Sequence, residues 1–413
     1  TALPLYISTA GGAPLLVEVA FLEPTPVPTN ETCGTAAPLL PGAPVLAEIL
    51  DATLDLGSAC DTPLGELVYA FELTQPQDVN LYATSLDGDG VPSISLRNAA
   101  CALPEDEITC IIADPGHVFR HSLPAGTYHV GVSATAPTTV ALTLDLDPPS
   151  PAPADDFCLG APPIPPNQTL PVSLAGHQDD VQVGCLPGAA DAAYALTLPS
   201  ASDVLLVERI SQSDTGAIAL MAPACADPTD VLVCNAGAPS PVRASRYNVP
   251  PGEYRVVAET LFAQPIEVTA FVRPALPPTL VIFSDGCADA MTIPPGGGRF
   301  QGNTGSAAPD FDAGCDQSGQ PPGGAGDQLL RLDLPAQKRV ILEMAGSAYN
   351  TLLNVRQGSS CPGTGVPLGC AVGFGGKGSF LDLVLDPGTY YVQIDGLGGD
   401  EGTWFLDVRV VDP

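Results

Sequence analysis

Lysine is nearly missing from this chain. Two lysines, Lys338 and Lys377, and twelve arginines stand against 46 acidic residues, for a formal net charge of −32 over 413 residues. So few cations cannot assemble the basic stripe that a phosphate backbone or an anionic bilayer requires, which argues against nucleic acid and anionic lipid as partners. No apolar run approaches the roughly 18 residues of a membrane-spanning helix, and no stretch combines helical periodicity with caps. The opening TALPLYISTAGG lacks the basic and long apolar regions of a secretory signal. Catalytic signatures are missing too: there is no GxSxG, no HExxH and no Walker glycine loop. Without a CxxC or C-x2–4-C pair, thiol-redox and zinc chemistry lose their usual ligand spacing. The single tryptophan, Trp404, leaves few candidates for the aromatic patch of a glycan-binding sheet.

Proline (46 residues) and glycine (43) are plentiful, yet 45% of the chain is apolar, enough for packed cores. The cysteines carry the strongest signal. They fall at Cys33, Cys60, Cys101 and Cys110, then Cys158, Cys185, Cys225 and Cys234, then Cys287, Cys315, Cys361 and Cys370. The gaps are 27, 41 and 9, then 27, 40 and 9, then 28, 46 and 9. CALPEDEITC, CADPTDVLVC and CPGTGVPLGC share a length and almost nothing else. This is an internal repeat of about 125–130 residues.

Other landmarks keep the same phase. Glu66, Asp191 and Asp327 precede the apolar stretches LVYAFEL, AAYALTL and QLLRLDL, and their recurrence points to a structural role such as a hydrogen bond to a turn. Gly126, Gly252 and Gly388 open GTYHVGV, GEYRVVA and GTYYVQI, where a turn with positive φ is expected. Tyr128, Tyr254 and Tyr390 follow, expected to pack inward with the hydroxyl at the edge. Alternating strands such as TTVALTLDLD close each unit, with about eight strands per repeat. The fold expected is all-β: a tandem array of disulfide-stapled β-sandwich repeats, jelly-roll or Ig-like. The repeats span 27–149, 150–275 and 276–413. Proline-rich stretches separate them as semi-rigid spacers, so the units should string out. Residues 1–26 look like a partial repeat or terminal hairpin, either the tail of a longer array or a hairpin that docks on another molecule.

Twelve cysteines, even in each unit, on a lysine-poor surface fit a disulfide framework outside the cell or at its surface. The constant gaps of 27–28 and 9 suggest closed loops, hence first-to-second and third-to-fourth pairing: Cys33–Cys60, Cys101–Cys110, and so on. Asp87 and Asp89 in LDGDGVP, and Asp310 and Asp312 in DFDAGCD, alternate as calcium ligands do, but neither stretch completes an EF-hand. Each competes with a plain polar loop, and calcium is the one cofactor they admit. His117, His121 and His129 lie close in sequence, with exposed strand histidines as the plainer reading. Asn30 in NET and Asn167 in NQT are glycosylation sequons.

The third repeat carries AYNTLLNVRQGSSC, CAVGFGG and LDPGTYYVQIDGLGGDEGTWFLDV. This order resembles the bacterial pre-peptidase C-terminal domain family and its cysteine-bearing relatives, β-sandwich modules of exported proteins. The resemblance implies modules that accompany secreted proteases or form repeat proteins at the cell surface, some binding calcium or insoluble matrix. It transfers no site residue. The expected function is structural and non-catalytic: part of an extracellular fibre, appendage or surface layer, with adhesion as an added role. Neighbouring repeats or copies would meet through sheet edges. The competing reading is a set of accessory glycan- or protein-binding modules of a large secreted hydrolase.

Overall fold

The computed structural model describes residues 28–50, 52–186, 188–211, 214–225, 228–238, 240–316, 324–363, 367–373 and 378–413. The hairpin expected over 1–26 lies outside them. The chain divides into two compact units, Thr1–Pro151 and Ala152–Pro413. No helix among the described residues is long and apolar enough to cross a membrane.

The first unit contains β1 (Ala37–Pro38), β2 (Val45–Ile49), β3 (Leu67–Leu73), β4 (Gln77–Ser85), β5 (Pro92–Arg97), β6 (Glu107–Ile112), β7 (Gly116–Leu123), β8 (Gly126–Ala134) and β9 (Thr138–Asp147). One sheet runs β1-β3-β8-β5-β6 and the other β2-β9-β4-β7. Apart from the β5–β6 hairpin, consecutive strands jump between the two sheets, which is the order of a jelly roll. Period-2 alternation explains the packing. Val79, Leu81 and Ala83 of β4 point inward onto Val130 and Val132 of β8, all fully buried.

The second unit holds two more jelly rolls. One is built from β10 (Thr169–Val172), β11 (Ala190–Leu198), β12 (Ser202–Arg209), β13 (Gly216–Met221), β14 (Val231–Gly237), β15 (Val242–Val249), β16 (Gly252–Thr260) and β17 (Ile266–Pro274). Its sheets run β11-β16-β13-β14 and β10-β17-β12-β15. The other adds β18 (Thr279–Leu280), β19 (Met291–Ile293), β20 (Gly297–Asn303), β21 (Gln328–Leu334), β22 (Lys338–Glu343), β23 (Thr351–Gln357), β24 (Gly369–Val372), β25 (Phe380–Leu385), β26 (Gly388–Gly396) and β27 (Thr403–Val411). Its sheets run β19-β21-β26-β23-β24 and β18-β20-β27-β22-β25.

The tyrosines turn the same corner three times. The hydroxyl of Tyr128 donates to the Pro124 carbonyl at 2.9 Å, Tyr254 to Pro250 at 2.9 Å, and Tyr390 to Asp386 at 2.6 Å. Each ring lies over the glycine two residues earlier, and a Cβ there would meet it at 3.6–3.8 Å. Gly126 and Gly388 are not among the positive-φ residues, so the recurring glycine serves this contact more than a left-handed turn.

The cysteines pair first-to-third and second-to-fourth: Cys33–Cys101, Cys60–Cys110, Cys158–Cys225, Cys185–Cys234, Cys287–Cys361 and Cys315–Cys370. This corrects the pairing drawn from constant gaps. The segment between the first two cysteines leaves to supply β2, β10 or β20 to the opposite sheet, then returns. The nine-residue gap spans the turn into β6, β14 or β24. Equal gaps therefore set two elements in register, and each bridge pins one end of the excursion to that turn. The bridges close sequence separations of 49 to 74 residues. Loops of that size contribute about 4 kcal/mol each through chain entropy, against about 3 for a ten-residue loop.

Candidate functional site

The second and third jelly rolls do not string out. They meet face to face, through outward residues of β12, β15 and β17 on one side and β20, β22, β25 and β27 on the other. Leu205, Val207, Phe271 and Ile341 form one buried cluster across the junction, with Phe380 and Val411 against it. These two repeats thus join through a sheet face rather than an edge. The reason is in the strand pattern: DVLLVER (203–209) and RVILE (339–343) are apolar on both sides and need cover on both.

Six of the twelve arginines line this junction. Arg339 grips Asp382 with two bonds, Nε to Oδ1 at 2.9 Å and Nη2 to Oδ2 at 2.7 Å, and Arg209 reaches the same carboxylate. Arg243 pairs with Glu343 at 2.7 Å and lies over the Phe380 ring. Arg409 donates to the carbonyls of Phe271 (2.6 Å) and Asp203 (3.1 Å) and to Asp407 (3.0 Å), which also receives Arg273. Arg299 stacks on Tyr247 at 3.6 Å. Burial pushes the Glu343 carboxyl up to about 7 despite Arg243. Burial also raises Asp382, but its bonds and charge contact with Arg339, then Arg209, outweigh that and hold it below the usual range. A buried pair of this kind gives little net stability, yet losing one partner costs about 3–5 kcal/mol.

The equivalent face of the first jelly roll is different. Asn80 and Tyr82 stand where the second has Leu205 and Val207. Tyr82 stacks on His117 with ring centres 4.4 Å apart, and Phe119 meets His121 edge-on at 4.5 Å. His117 bonds Asn80 at 3.0 Å, and Tyr82 is 37% exposed. The result is a small aromatic and imidazole patch, which the sequence shows only as scattered residues. His129 lies on β8 in the other sheet, bonded to the Asn98 carbonyl, so the three histidines do not converge.

The recurring acid pins the returning segment. Glu66 accepts from the amides of Asp55 (3.2 Å) and Leu56 (3.4 Å), Asp191 from Asp180 (2.8 Å) and Val181 (2.9 Å), and Asp327 from Phe311 (2.8 Å). Cross-strand from these stand Ser133, Glu259 and Asp395, so two of the three positions are acid pairs. Burial, with Asp395 and Asp310 close by, drives Asp327 to about 7. Asp395 rises to about 7 from burial and the nearby Asp316 and Asp312.

The calcium candidates sit in loops. Asp87 accepts from the Thr139 amide at 2.9 Å, and Asp312 from the Gly314 amide at 2.8 Å. Asp89 follows in the same loop as Asp87, and Asp310 contributes charge toward Asp327. Among the described residues no three His, Cys, Asp or Glu side chains gather as a metal centre. The sequon asparagines are engaged in the sheets. Asn30 Nδ2 donates to the Val68 carbonyl at 3.1 Å, and Asn167 bonds both backbone groups of Val272.

No protein-family model matches the chain, and neither does any curated protein. Among the solved structures that match, the likeness is slight. The pre-peptidase C-terminal domain of collagenase from Bacillus anthracis is 10% identical at a TM-score of 0.21, covering 32% of this chain and 97% of its own. The N-terminal CBM22-1–CBM22-2 tandem domain of Paenibacillus barcinonensis Xyn10C is 11% identical at 0.17, covering 57% and 99%. The CUB1-EGF-CUB2 domain of human MASP-1/3 is 12% identical at 0.17, covering 59% and 100%. No family assignment follows from likenesses this slight.

Proposed function

We propose that the chain is a non-catalytic structural component of an extracellular fibre, appendage or cell-surface layer, assembled by stacking jelly rolls face to face. The junction between the second and third jelly rolls carries this reading. It spends half of the arginines and an apolar patch on joining one repeat to the next, as a quasi-linear array requires. The six bridges suit an oxidising compartment outside the cell. Light scattering over a concentration series, with imaging of the same samples, tests it. Linear assemblies that lengthen with concentration are expected; a monodisperse monomer throughout would overturn the reading.

The Tyr82, His117, Phe119 and His121 patch favours a second reading, an accessory module that binds glycan or protein beside a secreted hydrolase. Co-sedimentation with insoluble polysaccharide separates the two. Binding that disappears in Tyr82→Ala supports the module; binding absent from the unaltered chain removes it.

A further inference from the structure

The second jelly roll keeps a carboxylate where its siblings keep hydrocarbon. Glu208 points inward from β12, flanked in its own sheet by Val242 and Val268. Inward alternation places Ala83, after Val79 and Leu81, at this position in the first jelly roll and Met344, after Val340 and Leu342, in the third. Asp214 likewise replaces Gly90 and Tyr349, and Thr260 replaces Ala134 and Gly396. Three oxygen-bearing side chains thus converge at one end of a single sandwich core.

Their oxygens are not accounted for. Glu208 is 0% exposed, and neither carboxylate oxygen has a hydrogen-bond partner. Asp214 Oδ1 accepts from the Thr215 amide at 2.8 Å, but buried Oδ2 accepts from nothing. The Thr260 hydroxyl, also 0% exposed, reaches toward Asp214 without completing a bond. Gly216 leaves the room: a Cβ there would sit 2.7 Å from Glu208 Oε2. An ionised carboxylate buried without partners is costly unless something neutralises it.

We propose that Glu208, Asp214 and Thr260 form a site for one hard divalent cation, of the calcium type, inside the second jelly roll. Two carboxylates balance the ion's charge, and a bidentate Glu, a monodentate Asp and a hydroxyl are oxygen donors of the kind such ions take. Water and backbone carbonyls complete the shell. This site is distinct from the loops of Asp87, Asp89, Asp310 and Asp312, and it stands whether or not the chain assembles into fibres.

Calorimetric titration of the full chain with calcium, after treatment with a chelator, tests it, together with thermal melting in each state. The unaltered chain is expected to bind calcium and melt several degrees higher with it. Glu208→Gln and Asp214→Asn are expected to weaken that binding by more than about tenfold, while Asp87→Asn leaves it unchanged. Glu208→Met, which installs the third jelly roll's residue, should fold without calcium and lose the calcium-dependent shift; it decides the matter if Glu208→Gln fails to fold. No calcium response in the unaltered chain overturns the proposal. So does a response that survives both Glu208→Met and Asp214→Asn. Stability that depends on acid pH alone, with no calcium effect, would show a proton held there instead.

Discussion

Strand β4 of the first jelly roll and strand β12 of the second hold the same place in the same sheet, yet are written differently. In β4, Val79, Leu81 and Ala83 alternate with Asn80, Tyr82 and Thr84, so one face is buried and the other polar. In β12, Val204 and Leu206 face the sandwich core while Leu205 and Val207 face the third jelly roll. One topology thus carries either a polar outward face or an apolar junction, according to the outward half of a single strand. The first core cluster draws every residue from its own repeat, whereas one cluster in the second unit belongs to two repeats.

Removing the bridges tests that contrast hardest. Replacing all four cysteines of one jelly roll with serine removes about 8 kcal/mol of chain-entropy stabilisation from the first (Cys33, Cys60, Cys101, Cys110) or the second (Cys158, Cys185, Cys225, Cys234). That is most of a typical domain's stability. The first jelly roll should lose amide-exchange protection throughout. The second should keep part of its protection in β12 and β17, held by the junction. Equal loss in both would mean that the junction stabilises nothing. Next in size is Arg409→Ala. It strips Asp407 of a partner and removes a charged donor from two buried carbonyls, and it should cost about 3–5 kcal/mol. Exchange should quicken in the second and third jelly rolls and stay unchanged in the first.

Much of this was legible in the residues. The cysteine period gives three units, the recurring Gly-x-Tyr gives the tyrosine corner, and the recurring acid before LVYAFEL and its equivalents gives the pin on a turn. The bridge pairing was not legible, because constant gaps fit two closed loops as well as two elements held in register. Only the excursion of β2, β10 and β20 to the opposite sheet decides between them. The junction did leave a trace. Residues 1–150 hold two arginines, Arg97 and Arg120, and no lysine, while the other ten arginines follow. An apolar run with one glutamate, DVLLVERI, marks both the junction and the buried Glu208.

A smaller effect separates the first and third jelly rolls by pH. Glu66 of the first faces Ser133, whereas Asp327 of the third faces Asp395, both at about 7. Coupled this closely, the two protons belong to the pair. In the unfolded chain these groups ionise near 4. Their raised folded values make the protonated form the favoured one in the native state. Their contribution is therefore complete below about 4 and is lost as pH rises toward about 7, beyond which it stays flat. Glu343, also near 7, adds to the same trend. Protection of the third jelly roll should fall between pH 5 and pH 7 by roughly the amount set by these shifts, and Asp327→Asn should flatten the profile. A profile unchanged by Asp327→Asn would show that the acid pair does not share protons.

The smallest effect compares the corners. Phenylalanine in place of Tyr128, Tyr254 or Tyr390 keeps the ring and removes one hydroxyl, which costs about 1 kcal/mol where water can replace it. Tyr128 and Tyr254 are each 8% exposed, and Tyr390 is 1% exposed. The Tyr390 ring is the most enclosed of the three and its hydroxyl makes the shortest bond, 2.6 Å to the Asp386 carbonyl, so it leaves the least room for a replacing water. Denaturant melts followed for each jelly roll should rank Tyr390→Phe as the most damaging of the three. If the three substitutions cost the same, burial of the ring does not set the strength of the corner, and the shared hydrogen bond alone does.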